Sequence, residues 1–251
     1  MPAGDAEILV ELNDGIAQLI LNRPESRNAI SKQMWLQIPE RLNELQKQGA
    51  RLLVIKGVSG VFAAGADMME LKELDNFEDA KENWSAISNA LDFVHRFPLP
   101  TIASIDGPCM GGGCLLALAC DLRYASRRSR FSIPIARLGI VLDDANLFRL
   151  ANLVGVARAK ELIYRARILD ASEALSWGLL NDLFDDHDFA EKLSALASEI
   201  LSNSALSVSE SKTSFQRFIA QSSMASNEKV VLASYLSPDF RERIRKLLQK
   251  D

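Results

Sequence analysis

The run Gly107-Pro108-Cys109-Met110-Gly111-Gly112-Gly113 leads directly into Cys114-Leu115-Leu116-Ala117-Leu118-Ala119-Cys120, seven residues with no polar member. A helix that is apolar all round must be surrounded by other elements. The chain therefore needs layers on every side of this segment. Its 251 residues, 48% of them hydrophobic, can supply them as one large domain or a domain with an appendage. The glycines before the helix let another molecule approach the backbone closely. The first N–H groups of a helix are unpaired and carry partial positive charge. Such a place suits an oxygen that gains negative charge, where each preorganised donor contributes roughly 3–4 kcal/mol to lowering a barrier. The same glycines also serve tight helix–strand packing, and spacing alone does not separate the two roles. No Lys-Ser/Thr follows them, so the turn is not a phosphate loop.

Around this segment the pattern alternates between strand and helix. Glu7–Leu12 and Ile16–Asn22 flank Asn13-Asp14-Gly15, a hairpin signal. Ser31 is placed to cap a helix running to about Gln48, with Met34, Ile38, Leu42 and Leu45 on one face and Pro39 as a possible break. Arg51–Gly57, Thr101–Asp106, Leu122–Ala125 and Phe131–Ile135 read as short strands. Glu78–Phe97, Asp144–Val154 and Ala157–Tyr164 read as helices, and Gly107–Gly113 as a turn. This predicts an α/β core over residues 1–188. Residues 189–251 carry only helical signals, at Phe189–Leu201, Ala205–Ala220 and Asn227–Gln249. Helices unable to bury their own apolar faces need a partner, so this region is assigned to subunit contact.

Several function classes are disfavoured. The net charge is −4, and the densest basic cluster, Arg123, Arg127, Arg128 and Arg130, reads as a solvated loop rather than a nucleic-acid footprint. Three cysteines, Cys109, Cys114 and Cys120, and two histidines, His95 and His187, match no zinc spacing. No metal is expected, and the thiols are read as reduced and buried in a cytoplasmic protein. No apolar run approaches a membrane span, and the N-terminus does not read as a signal peptide.

A second small-residue segment, Phe62-Ala63-Ala64-Gly65-Ala66-Asp67-Met68-Met69-Glu70-Leu71, resembles the oxyanion-loop motif of the crotonase (enoyl-CoA hydratase/isomerase) superfamily. Ile105–Ala125 resembles that family's second motif, Leu21–Ile30 its stretch beside coenzyme A, and Gly155–Phe184 its downstream helical segment. The resemblance spans nearly the whole chain, in order. It implies a ClpP-like spiral of ββα units with a C-terminal helical trimerisation region, assembling as a homotrimer or as a hexamer of two trimers. It implies an acyl-CoA thioester as substrate, with coenzyme A arriving as part of the substrate and no separate cofactor. Carried over by position, it implies oxyanion donors at the N–H groups of Ala66 and Gly112. Ala64, Ala66, Asp67, Met68 and Met69 would line the thioester, Ser26, Arg27 and Ala29 the adenine-nucleotide end, and Lys250 would reach a neighbouring coenzyme A.

Two positions depart from the family. Where hydratases carry the glutamates that position and activate water, this chain has Leu115 and Ile135. Neither side chain transfers a proton. Asp143, four residues after Gly139, falls where the resemblance places the acid of enoyl-CoA isomerases. With apolar Ile135, Val141 and Leu142 as expected neighbours, it is the candidate single acid/base for moving a double bond. Asp143 or Asp144 is also a candidate helix cap, Asp144 the better one. An atypical hydratase or decarboxylase relying on the oxyanion hole, and a non-catalytic acyl-CoA-binding protein, remain open. Asp121 is read as a structural hydrogen-bonding group, Asp67 and Glu70 as acids supporting the loop and its helix, His95 as a surface or helix-end residue, and Trp84 and Met68 as core or acyl-pocket side chains.

Overall fold

The computed structural model describes residues 6–220 and 228–249. The hairpin forms as its turn signal predicts. β1 (Ile8–Asn13) and β2 (Ile16–Leu21) pair antiparallel across Asp14 and Gly15, at φ 51° and 83°. Two consecutive left-handed residues are what a two-residue type I′ turn requires. β2 then begins a run of parallel neighbours, β3 (Leu52–Gly57), β4 (Thr101–Ile105), β6 (Leu122–Ser126) and β9 (Asp182–Phe184), completing a six-stranded sheet. β4 is buried along its whole length, as expected of a parallel strand covered on both faces.

Parallel neighbours require crossovers, and helices provide them. The first is α1 (Lys32–Lys47), where Ser31 Oγ accepts the Met34 N–H at 3.1 Å and Met34, Ile38, Leu42 and Leu45 are all buried. Pro39 sits inside α1 without ending it. The next crossover carries α2 (Met68–Lys72) and α3 (Phe77–Arg96).

From here the chain repeats one step. After β4 it turns at Gly107, where a side chain would stand 2.0 Å from the Gly60 carbonyl oxygen. It then runs β5 (Pro108–Met110) in a second, three-stranded sheet before entering α4 (Gly112–Ala119). After β6 it makes β7 (Arg130–Ser132) beside β5, then α5 (Ile135–Leu138), α6 (Asp144–Val154) and α7 (Val156–Arg165). β8 (Leu169–Asp170) closes the second sheet antiparallel to β7, and α8 (Ala171–Ser176) leads to β9. Strand in one sheet, strand in the other, then helix: this is a spiral of ββα units. Two local expectations are corrected. Pro108–Met110 is a strand rather than part of a turn, because Cys109 pairs with Phe131 and bridges Ala63. The strand expected to reach Ile135 stops at Ser132, and Pro134 stands at the N-cap of α5, which Ile135 opens.

The all-apolar α4 is buried from Gly113 to Ala119. All three thiols are free and buried, and burial pushes Cys120 up to about 12 and Cys109 well above its ordinary range. Asp121 is structural: it accepts from the Thr101 N–H (2.8 Å), the Thr101 hydroxyl (3.0 Å) and Lys212 Nζ (2.7 Å). The basic cluster divides. Arg127 pairs with Asp185 and Arg128 with Asp106, but Arg123 is buried and donates to the carbonyls of Leu179, Cys120 and Asp121. It is an internal strut, not part of a solvated loop.

The C-terminal helices differ most from expectation. α9 (Phe189–Ser202) lays Phe189 and Ala197 against Leu52, Val54, Ile102 and Tyr124 of the sheet. α10 (Ala205–Ala220) is fastened by Lys212 and leaves Leu206 and Phe215 exposed. The stretch expected as one helix is two, α11 (Glu228–Tyr235) and α12 (Pro238–Leu248). Ser237 accepts the Phe240 N–H at 3.1 Å and Pro238 brings no N–H, which together start a new helix. Val231, Leu232, Tyr235, Phe240 and Ile244 fold back onto Leu71 and Ala80. The apolar faces of α9, α11 and α12 are thus covered by their own chain.

Phe240→Ala should cost about 3 kcal/mol, concentrated in the α11–α12 unit. Hydrogen exchange should accelerate in 228–248 and 68–72 but not in β3 or β4. Uniform acceleration would show that the tail is not a separate cooperative unit.

Candidate active site

Two loops meet at the N-terminus of α4. The first follows β3. Its Ala63 exchanges hydrogen bonds with the neighbouring strand, Ala63 N–H to Pro108 O (3.1 Å) and Met110 N–H to Ala63 O (2.9 Å). Two residues on, Ile30 N–H donates to Gly65 O (2.8 Å) and Asp67 N–H donates to Ile30 O (3.2 Å). This leaves Ala66 between them with its N–H turned to the other side. The second loop is Gly111-Gly112. Gly111 N–H donates to Ser132 O at 2.8 Å, and Gly112 is the first residue of α4, so its N–H has no intrahelical partner. Among the described residues, neither Ala66 N–H nor Gly112 N–H meets an acceptor.

These two amides are close. A side chain on Gly112 would stand 3.6 Å from Ala66 N, so the two nitrogens lie within about 6 Å of each other. That bound admits one oxygen held by two donors at hydrogen-bond length. Glycine is needed here twice over. Gly65 has φ 116° and Gly111 has φ 49° with ψ −120°, conformations that side chains forbid. At Gly113 the reason is contact: a methyl would lie 2.5 Å from Ala63 Cβ. Trp35, fully buried on α1, supports the same point, its Cζ2 3.2 Å from where a Gly112 side chain would begin.

The residues assigned to coenzyme A gather along the first loop. Pro24–Ser26 forms a 3-10 turn, Arg27 and Asn28 follow in left-handed conformations, and Arg27 O accepts the Ala64 N–H at 3.0 Å. Ser26, Arg27, Ala29 and Ala64 are thereby drawn to one edge. Arg27 is exposed and forms no ion pair among the described residues. Asn28, which sequence reasoning missed, holds this edge: it is buried, and its Nδ2 donates to the carbonyls of Val58 (3.0 Å) and Val61 (2.6 Å). Asp67 caps α2 by accepting the Met69 N–H at 3.0 Å and pairs with Arg23 at 3.0 Å. Burial pushes its carboxyl up, but the bonds from Arg23 and Met69 outweigh this and hold it below the usual range. Glu70 accepts the Lys32 N–H at 2.6 Å. Both acids support the loop, as expected. Met68 faces inward and Met69 is exposed. Lys250 lies outside the described residues.

At the positions of the two absent glutamates, Leu115 is buried within α4 and Ile135 opens α5. Asp143, not Asp144, is the cap of α6, correcting the sequence expectation: its Oδ1 accepts the Asn146 N–H (2.9 Å) and its Oδ2 accepts Asn146 Nδ2 (2.7 Å). Each carboxylate oxygen retains a second acceptor position. Ile135, Val141 and Leu142 line a cavity whose lining does not include Asp143. The neighbour that sequence reasoning missed is Tyr235 of α11. Burial, and then the Asp143 charge, push its phenol up to about 12. Tyr235 belongs to the apolar cluster against which Ala66, Met68 and Trp84 pack. Among the described residues, no group of three potential ligands could hold a metal.

His95 lies in the last turn of α3, as expected, and is half-buried. It lines a separate cavity of about 1000 Å³ between α3, α6 and α10, where burial and then Arg149 lower its pKa to about 4. The unfolded imidazole titrates near 6.5. Its contribution to stability is full above that pH and is lost as pH falls from 6.5 towards 4, on the order of 3 kcal/mol. His95→Gln should flatten the denaturation midpoint over that interval, and an unchanged pH slope would assign it to other groups. Gly113→Ala should cost about 1–3 kcal/mol by pushing the two loops apart. A variant with unaltered thermal midpoint would show that the contact yields freely.

The enoyl-CoA hydratase/isomerase family model matches residues 11–242. The chain is 32% identical over 214 residues to a short-chain-enoyl-CoA hydratase of Clostridium acetobutylicum, covering 84% of this chain and 81% of that one. It is 34% identical over 208 residues to an enoyl-CoA isomerase/hydratase of Mycosarcoma maydis, covering 79% and 76%. Among solved structures, an enoyl-CoA hydratase/isomerase from Xanthobacter autotrophicus superposes with a TM-score of 0.82 at 26% identity, covering 98% and 94%.

Proposed function

The chain belongs to the enoyl-CoA hydratase/isomerase family, and within it we propose that it moves a double bond in an acyl-CoA thioester, using Ala66 and Gly112 as oxyanion donors and Asp143 as its one acid/base. The supporting observation is the pair of unpartnered amides brought together by two loops. Asp143 takes a proton from C2 of a 3-enoyl thioester. The electron pair passes to the thioester oxygen, which the two N–H groups hold as an enolate. The proton returns at C4, and the 2-enoyl product forms with no net change in atoms. Leu115 and Ile135 offer nothing to anchor a water, which disfavours hydration. Ser26, Arg27, Ala29, Ala64, Asp67, Met68, Met69 and Lys250 receive the coenzyme A portion, which is part of the substrate, and no separate cofactor is proposed. A trimer or a dimer of trimers, with contact through α10, and a cytoplasmic setting complete the proposal. No helix among the described residues is long and apolar enough to cross a membrane.

The names of several relatives favour a second reading, hydration without the two glutamates. Incubation with 3-enoyl-CoA and with 2-enoyl-CoA separates the two by ultraviolet absorbance and mass: isomerisation leaves the mass unchanged, while hydration adds one water. Binding of both thioesters without conversion would leave a carrier without turnover. Asn caps a helix as Asp does but gives up the oxygen that accepts from Asn146 Nδ2, so Asp143→Asn should cost about 1 kcal/mol of stability and lower kcat at least 100-fold. Equal activity would remove Asp143 from the mechanism. Gly112→Pro deletes one donor and should lower kcat by about 10²–10³-fold.

A further inference from the structure

Trp84 stands one turn after Ala80 on α3, and both pack in the cluster built from Leu71, Val231, Tyr235 and Phe240. Ala66, which carries one candidate oxyanion donor, and Met68 pack against the same cluster. This wall beside the thioester is apolar except for two proton donors. The Trp84 Nε1–H is shielded from solvent and meets no acceptor among the described residues. The Tyr235 ring is buried edge-on against Phe240, with 5.8 Å between centroids, and its hydroxyl donates to none of the described residues either. Ser234 Oγ accepts the Val141 N–H at 3.0 Å, which ties this end of α11 to the segment carrying Asp143, and the Asp143 charge reaches the Tyr235 phenol. A buried donor without an acceptor is costly, whereas apolar groups of the same shape cost little. A wall meant for a plain alkyl chain would be served as well by phenylalanine at both positions.

We propose that the Trp84 N–H and the Tyr235 O–H receive an oxygen carried by the acyl chain itself, so that the substrates are enoyl thioesters bearing a neutral ketone at the fifth carbon or beyond. The inference rests on the acyl-CoA reading above and names its substrate class. The position of the ketone follows from the chemistry of that reading. C2 gives up a proton, C3 belongs to the double bond before and after the shift, and C4 gains a proton, so none of the three is a carbonyl carbon. The nature of the oxygen follows from the donors. Both are neutral, and the charge that reaches Tyr235 is the anion of Asp143, which selects an uncharged oxygen over a carboxylate. A ketone oxygen accepts two bonds and brings no proton that needs an acceptor of its own.

The probes are the unreactive thioethers S-hexyl-CoA and S-(5-oxohexyl)-CoA, titrated by calorimetry into the full chain. A wall with no donor for the ketone favours the hexyl compound, because the ketone gives up its bonds to water. The oxo compound should instead bind about tenfold more tightly, as two made hydrogen bonds allow. Trp84→Phe and Tyr235→Phe each remove one donor and keep an aromatic ring. Each should lower that ratio about threefold while affinity for the hexyl compound holds, a split that lost packing alone does not produce. Either variant is sufficient where the other does not fold. The Trp84 indole N–H resonance, identified by its disappearance in Trp84→Phe, should move downfield with the oxo compound and stay in place with the hexyl compound. Equal or reversed affinities in the wild type, an unchanged ratio in a folded variant, or a Trp84 resonance that moves alike with both compounds overturns the proposal. Failure of both thioethers to bind at all would instead sink the acyl-CoA reading on which it stands.

Discussion

The contact of Gly113 with Ala63 governs the geometry of the candidate site. It places the helix that supplies one amide directly against the loop that supplies the other. The second sheet keeps the contact in register, because Ala63 bridges Cys109 and Cys109 pairs with Phe131. Three-residue strands are weak alone, but these lie between a buried sheet and a buried helix, where an unmade backbone bond costs more than a made one contributes. The free N–H groups of Ala66 and Gly112 are the exception within a region whose other backbone groups are largely spoken for. A protein leaves such donors unpaired at a cost, and the proposed enolate is what would offset it.

The tail adds the third wall. α11 and α12 fold over α2 and bring Tyr235 and Phe240 against the side of the site that holds Met68 and Trp84. Four segments far apart in the chain, around residues 30, 66, 112 and 235, therefore meet at Ala66. α12 is joined to the core mainly by the side-chain packing of Phe240 and Ile244 and by surface ion pairs such as Arg241 with Asp75, and exposed pairs of that kind contribute little.

Much of this was legible in the sequence where the signal was local. Ser31 and the spacing of Met34, Ile38, Leu42 and Leu45 marked α1, and the unbroken apolar run marked α4 as buried. The two small-residue segments located the amides, because only glycine tolerates the backbone angles at 65 and 111. What escaped depended on partners distant in sequence. β5 exists because Phe131 lies beside Cys109. Arg123 is buried because the carbonyls of Leu179, Cys120 and Asp121 converge on it, and no local pattern reports that. Tyr235 belongs to the site only because the tail folds back. Ser237-Pro238 did announce a new helix start, and Asp143 a cap three residues before Asn146; both signals were local and outweighed by continuous helical periodicity and by a neighbouring acid.

The position of Asp143 joins stability to the proposed chemistry. Its two oxygens hold the first turn of α6 through Asn146, so the side chain is fixed in one rotamer before any substrate arrives. A carboxylate held in place loses little conformational entropy on taking a proton. A hydratase needs two such groups, one to hold water and one to activate it. Leu115 and Ile135, in those places, offer no hydrogen bond to a water. In the proposed reaction one anchored carboxylate returns to one carbon the proton it took from another, a step that needs no bound water.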